Sequence, residues 1–152
     1  MIFVTVGTHH QPFERLLNGL SALDDELVVQ FGPGAPPPGV ERAQAFMSFD
    51  AMLECFREAD KVITHAGVGS ILCATREGHL PLVVPRRSDL GEHVDDHQVE
   101  LTRALDERGR VISVWDVENL RESVAGAPSR QAPSLVEEPA LCASVREALL
   151  SA

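Results

Sequence analysis

The chain has 152 residues, 44% hydrophobic and 24% charged, proportions that exclude a disordered, collagenous or coiled-coil chain and fit one globular domain spanning residues 1–152. Its formal net charge is -10, from 13 Lys+Arg against 23 Asp+Glu, so it lacks the basic footprint of a nucleic-acid binder and would be repelled by an anionic membrane surface. No apolar run approaches the roughly 20 residues that cross a bilayer, and Met1 leads into a strand-like run without a basic leader, which predicts a cytoplasmic chain.

Ile2 to Val6 (IFVTV) reads as a first strand. It ends in Gly7-Thr8, and Pro12 then opens a helical pattern carrying Phe13, Leu16, Leu17 and Leu20. Leu27 to Phe31 is a second strand, followed by a Gly/Pro-rich loop over 32–39. Residues 43–49 predict a third strand, with Ala45, Met47 and Phe49 alternating, and Asp50 would cap a helix carrying Met52, Leu53 and Phe56. Val62 to Thr64 is a short strand running into His65-Ala66-Gly67-Val68-Gly69-Ser70. A helix then reaches about Glu77, and Gly78 ends it. Leu82 to Val84 is a strand closed by Pro85, and a polar loop precedes a helix over 94–108. Val111 to Val114 is the last strand, and Asp116 would cap a helix over 117–124. A surface connection over 125–140 leads to an amphipathic helix over 141–150. Cys55, Cys73 and Cys142 follow no metal-ligand spacing and read as reduced thiols.

Strands alternate with helices, and the strands are valine-rich and apolar on both faces. That pattern predicts an α/β fold with a doubly wound, mostly parallel sheet covered by helices on both sides. Such sheets bind ligands beyond the carboxyl ends of their strands. The rule selects the loops after Val6, Thr64 and Val84, and extends to the loop after Phe31.

Gly7-Thr8 offers a tight turn and a hydroxyl, and a helix starting near Pro12 would aim free N–H groups at an anion. Gly67-Val68-Gly69-Ser70 is the stronger signal, because two glycines and a serine lie between a strand and a helix. They can present successive amides and a hydroxyl at the positive end of the helix dipole. No GK[ST] follows, and Leu72 stands where a dinucleotide fingerprint needs its third glycine. The segment 86–98 (RRSDLGEHVDDHQ) packs acids, two histidines and a glutamine after a strand end. His93 and His97, four residues apart, would share a helix face and suit a metal only if His93 were helical; no third ligand is evident, so no metal is expected.

Together these loops resemble a known family. MIFVTVGTHHQPFERLL at the start, THAGVGSIL at 64–72 and PRRSDLGEHVDDHQ at 85–98 look like the C-terminal-type domain of family 28 glycosyltransferases. The likeness is strongest to stand-alone subunits of bacterial exopolysaccharide and capsule synthesis, and to the eukaryotic catalytic subunit of a two-subunit UDP-GlcNAc transferase. The resemblance implies the donor-binding half of a GT-B enzyme, with a UDP-sugar as donor substrate and no cofactor or obligate metal. It implies a membrane-anchored partner subunit that binds a polyprenyl diphosphate-linked sugar acceptor and recruits this chain to the inner membrane face. An apolar patch kept for that partner can also self-associate, giving a homodimer in isolation.

Carried over residue by residue, the resemblance sets Gly7 and Thr8 beside the diphosphate and His9 toward the acceptor, as the candidate general base. His65, Gly67, Gly69 and Ser70 form the nucleotide–diphosphate loop. Pro85 and Arg86 flank the uracil pocket, and Arg86 can add a charge-assisted bond. His97 and Gln98 match a polar pair that contacts the donor sugar, and Glu92 and His93 belong to the subgroup's own motif. Two departures stand out. Cys73 occupies the place where many relatives carry a ribose-binding glutamate, and Gly78-His79-Leu80-Pro81 has its proline one place later than usual. The chain would also suit a non-catalytic accessory subunit of such a transferase, or an adenine-nucleotide binder of another doubly wound family.

Overall fold

The computed structural model describes residues 1–133 together with positions 143, 146 and 147. The helix expected over 141–150 therefore falls largely outside the described residues. Six strands form one parallel sheet: β1 (Ile2–Thr5), β2 (Leu27–Gln30), β3 (Arg42–Gln44), β4 (Lys61–Thr64), β5 (Leu82–Val83) and β6 (Ile112–Ser113), in the order β3-β2-β1-β4-β5-β6. The helices are α1 (Glu14–Gly19), α2 (Phe49–Glu58), α3 (Val68–Arg76), α4 (His97–Glu107) and α5 (Leu120–Gly126). The chain walks outward from β1 to β3, then returns to set β4 beside β1. The order reverses there, so the loops after β1 and β4 diverge and open a crevice.

Side-chain alternation explains why both faces are covered. Ile2, Val4, Val29 and Ile63 pack on one side, against Leu16, Leu17 and Leu20 and against Leu120 and Val124 of α5. Phe3, Val28 and Val62 face the other side and meet Cys55 and Phe56 of α2. Phe3 and Phe56 stand edge to face with centroids 5.0 Å apart. Ile71 of α3 packs with Leu101 and Leu105 of α4.

Several boundaries differ from the sequence reading. The third strand stops at Gln44, and α2 begins at Phe49 rather than after Asp50. Ser48 is the cap, its hydroxyl accepting from the Ala51 amide at 3.2 Å. The first helix does not open at Pro12: α1 starts at Glu14 and has only six residues. The helix expected over 94–108 begins at His97. Asp95 accepts the His97 amide at 3.1 Å, and Asp96 accepts the Ser88 amide at 3.3 Å. These local bonds hold 92–96 as bends that compete with helix. His93 is therefore not helical, and no cluster of three or more His, Cys, Asp or Glu fit to hold a metal occurs among the described residues. The displaced Pro81 leaves the sheet intact, since its carbonyl accepts from Ile112 N at 2.9 Å and Leu82 pairs with Ile63. Among the described residues, no helix is long and apolar enough to cross a membrane.

Candidate functional site

A cleft of about 290 Å³ lies at the carboxyl end of the sheet, over the β1/β4 reversal. Gly7 and Thr8, His65, and Gly67, Gly69 and Ser70 line one side. Phe46, Met47, Phe49, Met52, Leu53 and Phe56 line the other, with Cys73 between them. Phe46 and Phe49 remain 55% and 66% exposed, which is unusual for large apolar side chains beside a groove.

The polar wall is built from α3. Its N-cap, Gly67, has extended backbone and no side-chain cap bond. The first backbone bond is Ile71 N to Gly67 O at 3.0 Å. The amides of Val68, Gly69 and Ser70 therefore precede the helical ladder and point out of the helix start. A nine-residue helix with its dipole's positive end on a cleft suits an anion.

His65 forms the floor between the two glycine turns. A Cβ at Gly7 would lie 2.5 Å from His65 Nε2, and one at Gly67 would overlap the same atom. Both glycines are thus required by the ring that packs against them, and Gly7 also adopts φ +75. His65 is 8% exposed, and its Nδ1 lies 3.3 Å from Thr64 Oγ1. Burial first, and the nearby Arg86 charge second, hold its pKa down to about 4. The imidazole is neutral at physiological pH.

One buried side chain that the sequence reading passed over fixes the geometry. Gln30, on β2, accepts from the Gly7 amide at 3.1 Å and from Thr5 Oγ1 at 2.6 Å. Its amide nitrogen donates to Gly7 O at 3.0 Å and to Ala45 O at 2.7 Å. The Gly7 N–H is thereby occupied, so Gly7 supplies the turn and not an amide for a ligand. Gln30 was discoverable as the one amide in an apolar strand, LVVQF. The aromatic wall was not, because Phe46 and Phe49 read there as part of a strand.

The remaining candidates form a second group, beyond the cleft lining. His9 and His10 stack at 4.4 Å between centroids, and His9 meets His93 at 4.8 Å. His9 Nδ1 accepts from Gln11 N at 3.1 Å. Its pKa lies below the ordinary histidine value through burial, then through Arg86, His10 and His93. Gln98 turns inward: its Oε1 accepts from Ala66 N at 3.3 Å and Arg86 N at 3.0 Å, joining the loops after β4 and β5. His97 stands at the start of α4 with its side chain 74% exposed, near Asp95 and Glu100.

Arg86 and Glu92 are both buried and bonded within the fold. Arg86 is fully buried, and its guanidinium donates to Gln11 O at 3.0 Å, Glu92 O at 3.2 Å and Val6 O at 3.4 Å. The loops after β1 and β5 leave those carbonyls without backbone partners, and the guanidinium's fork of donors satisfies three at once. Neither Arg86 nor Pro85 lines the cleft. Glu92 takes two donors from Arg15, with Nε at 3.0 Å, and the Arg87 amide at 3.1 Å. Its carboxylate is committed within the fold.

Comparison with known proteins agrees with this geometry. The family described as "Glycosyltransferase family 28 C-terminal domain" matches residues 1–134. The UDP-N-acetylglucosamine transferase subunit ALG13 of Homo sapiens is 31% identical over 148 residues, covering 85% of this chain and 12% of that protein. The subunit of the same name from Mus musculus is 34% identical over 124 residues, covering 72% and 10%. The one from Cryptococcus neoformans (strain JEC21) is 49% identical over 69 residues, covering 44% and 32%. The chain thus spans at most about a third of the length of these relatives. With a match over nearly its whole described length, and the parallel α/β sheet that forms one half of a GT-B enzyme, the chain belongs to the glycosyltransferase family 28 C-terminal domain family.

Proposed function

We propose that the chain is the donor-binding subunit of a two-component inverting glycosyltransferase that uses a UDP-sugar. The uncapped N-terminus of α3, open on the cleft at the strand-order reversal, carries this reading. The relatives' names point to UDP-N-acetylglucosamine as the first donor to test. The diphosphate would lie on the amides of Val68 to Ser70 and on the Ser70 hydroxyl, with the nucleoside along the apolar wall. The acceptor is a polyprenyl diphosphate-linked sugar in glycoconjugate or exopolysaccharide synthesis, bound by a membrane-anchored partner that recruits this chain.

In transfer, the bond from the anomeric carbon to the diphosphate oxygen breaks, and the acceptor oxygen bonds to that carbon from the opposite face. UDP leaves with the electron pair, and the α3 amides stabilise the charge that develops on it. The acceptor's hydroxyl proton passes to a base, for which neutral His9 is the candidate on this chain. Phosphate charge is met by backbone dipoles, so neither a metal nor a lysine cluster is required.

Calorimetric titration in EDTA with UDP, UDP-GlcNAc, ADP and GDP tests the reading. Saturable uridine-selective binding that weakens about tenfold or more in Ser70→Ala is expected, since a charge-assisted bond contributes about 1.5–3 kcal/mol. Preference for an adenine nucleotide would overturn it. One observation favours an accessory, non-catalytic role: Cys73 lines the cleft, and no carboxylate does among the described residues. In that case Ser70→Ala would leave the activity of the reconstituted pair unchanged.

A further inference from the structure

We propose that Gln30 is a positioning residue that couples the two walls of the cleft. Its buried amide ties Gly7, which precedes Thr8 on the polar wall, to Ala45, which precedes Phe46 on the apolar wall, and so holds the walls at one spacing. That this spacing serves a nucleotide donor rests on the donor-site reading above. The coupling itself rests on contacts within the chain.

The place follows from the sheet. β2 lies between β1 and β3, and its last residue, Gln30, is in register with Thr5 on one side and Gln44 on the other. The loops leaving those two neighbours carry Gly7 and Thr8, and Phe46 and Met47, into the cleft lining. Side-chain alternation puts Gln30 on the face of Val28, under α2, and it is 1% exposed. From there it reaches both loops.

Both ends of the amide are used in full. Oε1 accepts from Thr5 Oγ1 and the Gly7 amide, and Nε2 donates to the Gly7 and Ala45 carbonyls, all at 2.6–3.1 Å. A primary amide offers two lone pairs and two N–H groups, so nothing is left over. The orientation is fixed as well: a flipped amide would set its nitrogen against the Gly7 N–H and its oxygen against two carbonyls. Gly7 is gripped through both its N–H and its C=O, at the left-handed turn that packs on His65. The bond to Ala45 exceeds local need, since that carbonyl already accepts from Gly32 N at 2.8 Å. What the second bond adds is the link between the loops. An apolar residue could fill the position, as Val28 and Val29 fill theirs on the same strand, but would not make that link. Walls held in place before a ligand arrives lose less freedom when it binds.

Hydrogen exchange and amide resonances of the full chain, with UDP titration of the same samples, test this. The variants are Gln30→Met, which keeps the length and has no donor for either carbonyl, and Gln30→Glu, which keeps the acceptor and loses both donors. Gly78→Ala, where a Cβ would meet the Gln131 carbonyl, is the control for lost stability away from the cleft. In the wild type the Gly7 amide should be protected from exchange, although it lies in a loop. In Gln30→Met that protection should fall at least about tenfold, and the amide resonances of Thr8, Phe46 and Met47 should move together. In Gly78→Ala they should stay. UDP should bind at least about tenfold more weakly to Gln30→Met than to Gly78→Ala. The proposal is overturned if Phe46 and Met47 do not respond to Gln30→Met, if Gly78→Ala produces the same changes, or if UDP binds Gln30→Met as tightly as the wild type. Should Gln30→Met not fold, Gln30→Glu is read by the same criteria, and a wild-type Gly7 amide that exchanges at the free-chain rate overturns the proposal without any variant. A wild type that binds no UDP removes the donor-site reading, while exchange and resonances still decide the coupling.

Discussion

His65 is where single-residue physics matters most. Its ring fills the space that a side chain on Gly7 or Gly67 would need. Gly67→Ala should push the ring aside, lowering UDP affinity at least about tenfold by calorimetry, equivalent to about 1.4 kcal/mol, with the circular dichroism spectrum retained. The same histidine makes stability pH-dependent. Its folded pKa is about 4 against 6.5 for the free side chain, so the unfolded chain binds the proton first. Stability is then full above 6.5 and declines as pH falls toward 4, by on the order of 3 kcal/mol over that window. Urea denaturation at neutral pH and near pH 5 should reveal the decline, and His65→Gln should flatten it. The histidine's place in the loop was legible in THAGVGS; its enclosure by a second glycine turn was not, because Gly7 lies on another strand's loop and only parallel pairing of β1 with β4 joins them.

At the scale of elements, α2 and the start of α4 show how one short side chain sets a boundary. Ser48 caps α2, and Phe49 and Met52 on its first turn face the cleft. Ser48→Ala should cost about 1 kcal/mol in denaturant unfolding and weaken nucleoside binding through the apolar wall. Asp50 was the more conspicuous cap in sequence, since Ala45, Met47 and Phe49 alternate as a strand would. Period alone does not separate the end of a strand from a helix start whose first residue is aromatic. The start of α4 was hidden differently. Two adjacent aspartates, Asp95 and Asp96, look like first-turn acids, yet they bind amides locally and delay the helix to His97. The order of the elements and the parallel sheet needed only valine-rich runs and glycine stops, which one sequence displays plainly. The inward turn of Arg86 could not be read at all, since the carbonyls it satisfies belong to Val6, Gln11 and Glu92, brought together only by folding.

Across the whole molecule, long-range pairs tie the functional end of the sheet together and close its other end. Arg15 and Glu92, separated by 77 positions, are bonded through Nε and Nη2, and Arg15 also donates to Pro85 O at 2.9 Å. A double-mutant cycle with Arg15→Ala and Glu92→Ala should give a coupling of about 1–3 kcal/mol, since both side chains are mostly buried. At the opposite end, Gly78, at φ +94, accepts the Gln131 amide of the segment after α5 at 2.9 Å. A Cβ there would overlap the Gln131 carbonyl. Gly78→Ala should lower the melting temperature, with strain alone contributing about 1–3 kcal/mol, and leave the cleft intact.

The twin bonds accepted by Gln98 have one more consequence. They hold the loops after β4 and β5 to α4, so this side of the cleft depends on all three elements being assembled. A ligand seated there acts as a clamp on the native state, and at about 100 times its dissociation constant it adds about 2.7 kcal/mol to unfolding. Under the proposed donor-site reading, heat resistance and protease survival of the chain should therefore rise with added UDP-sugar.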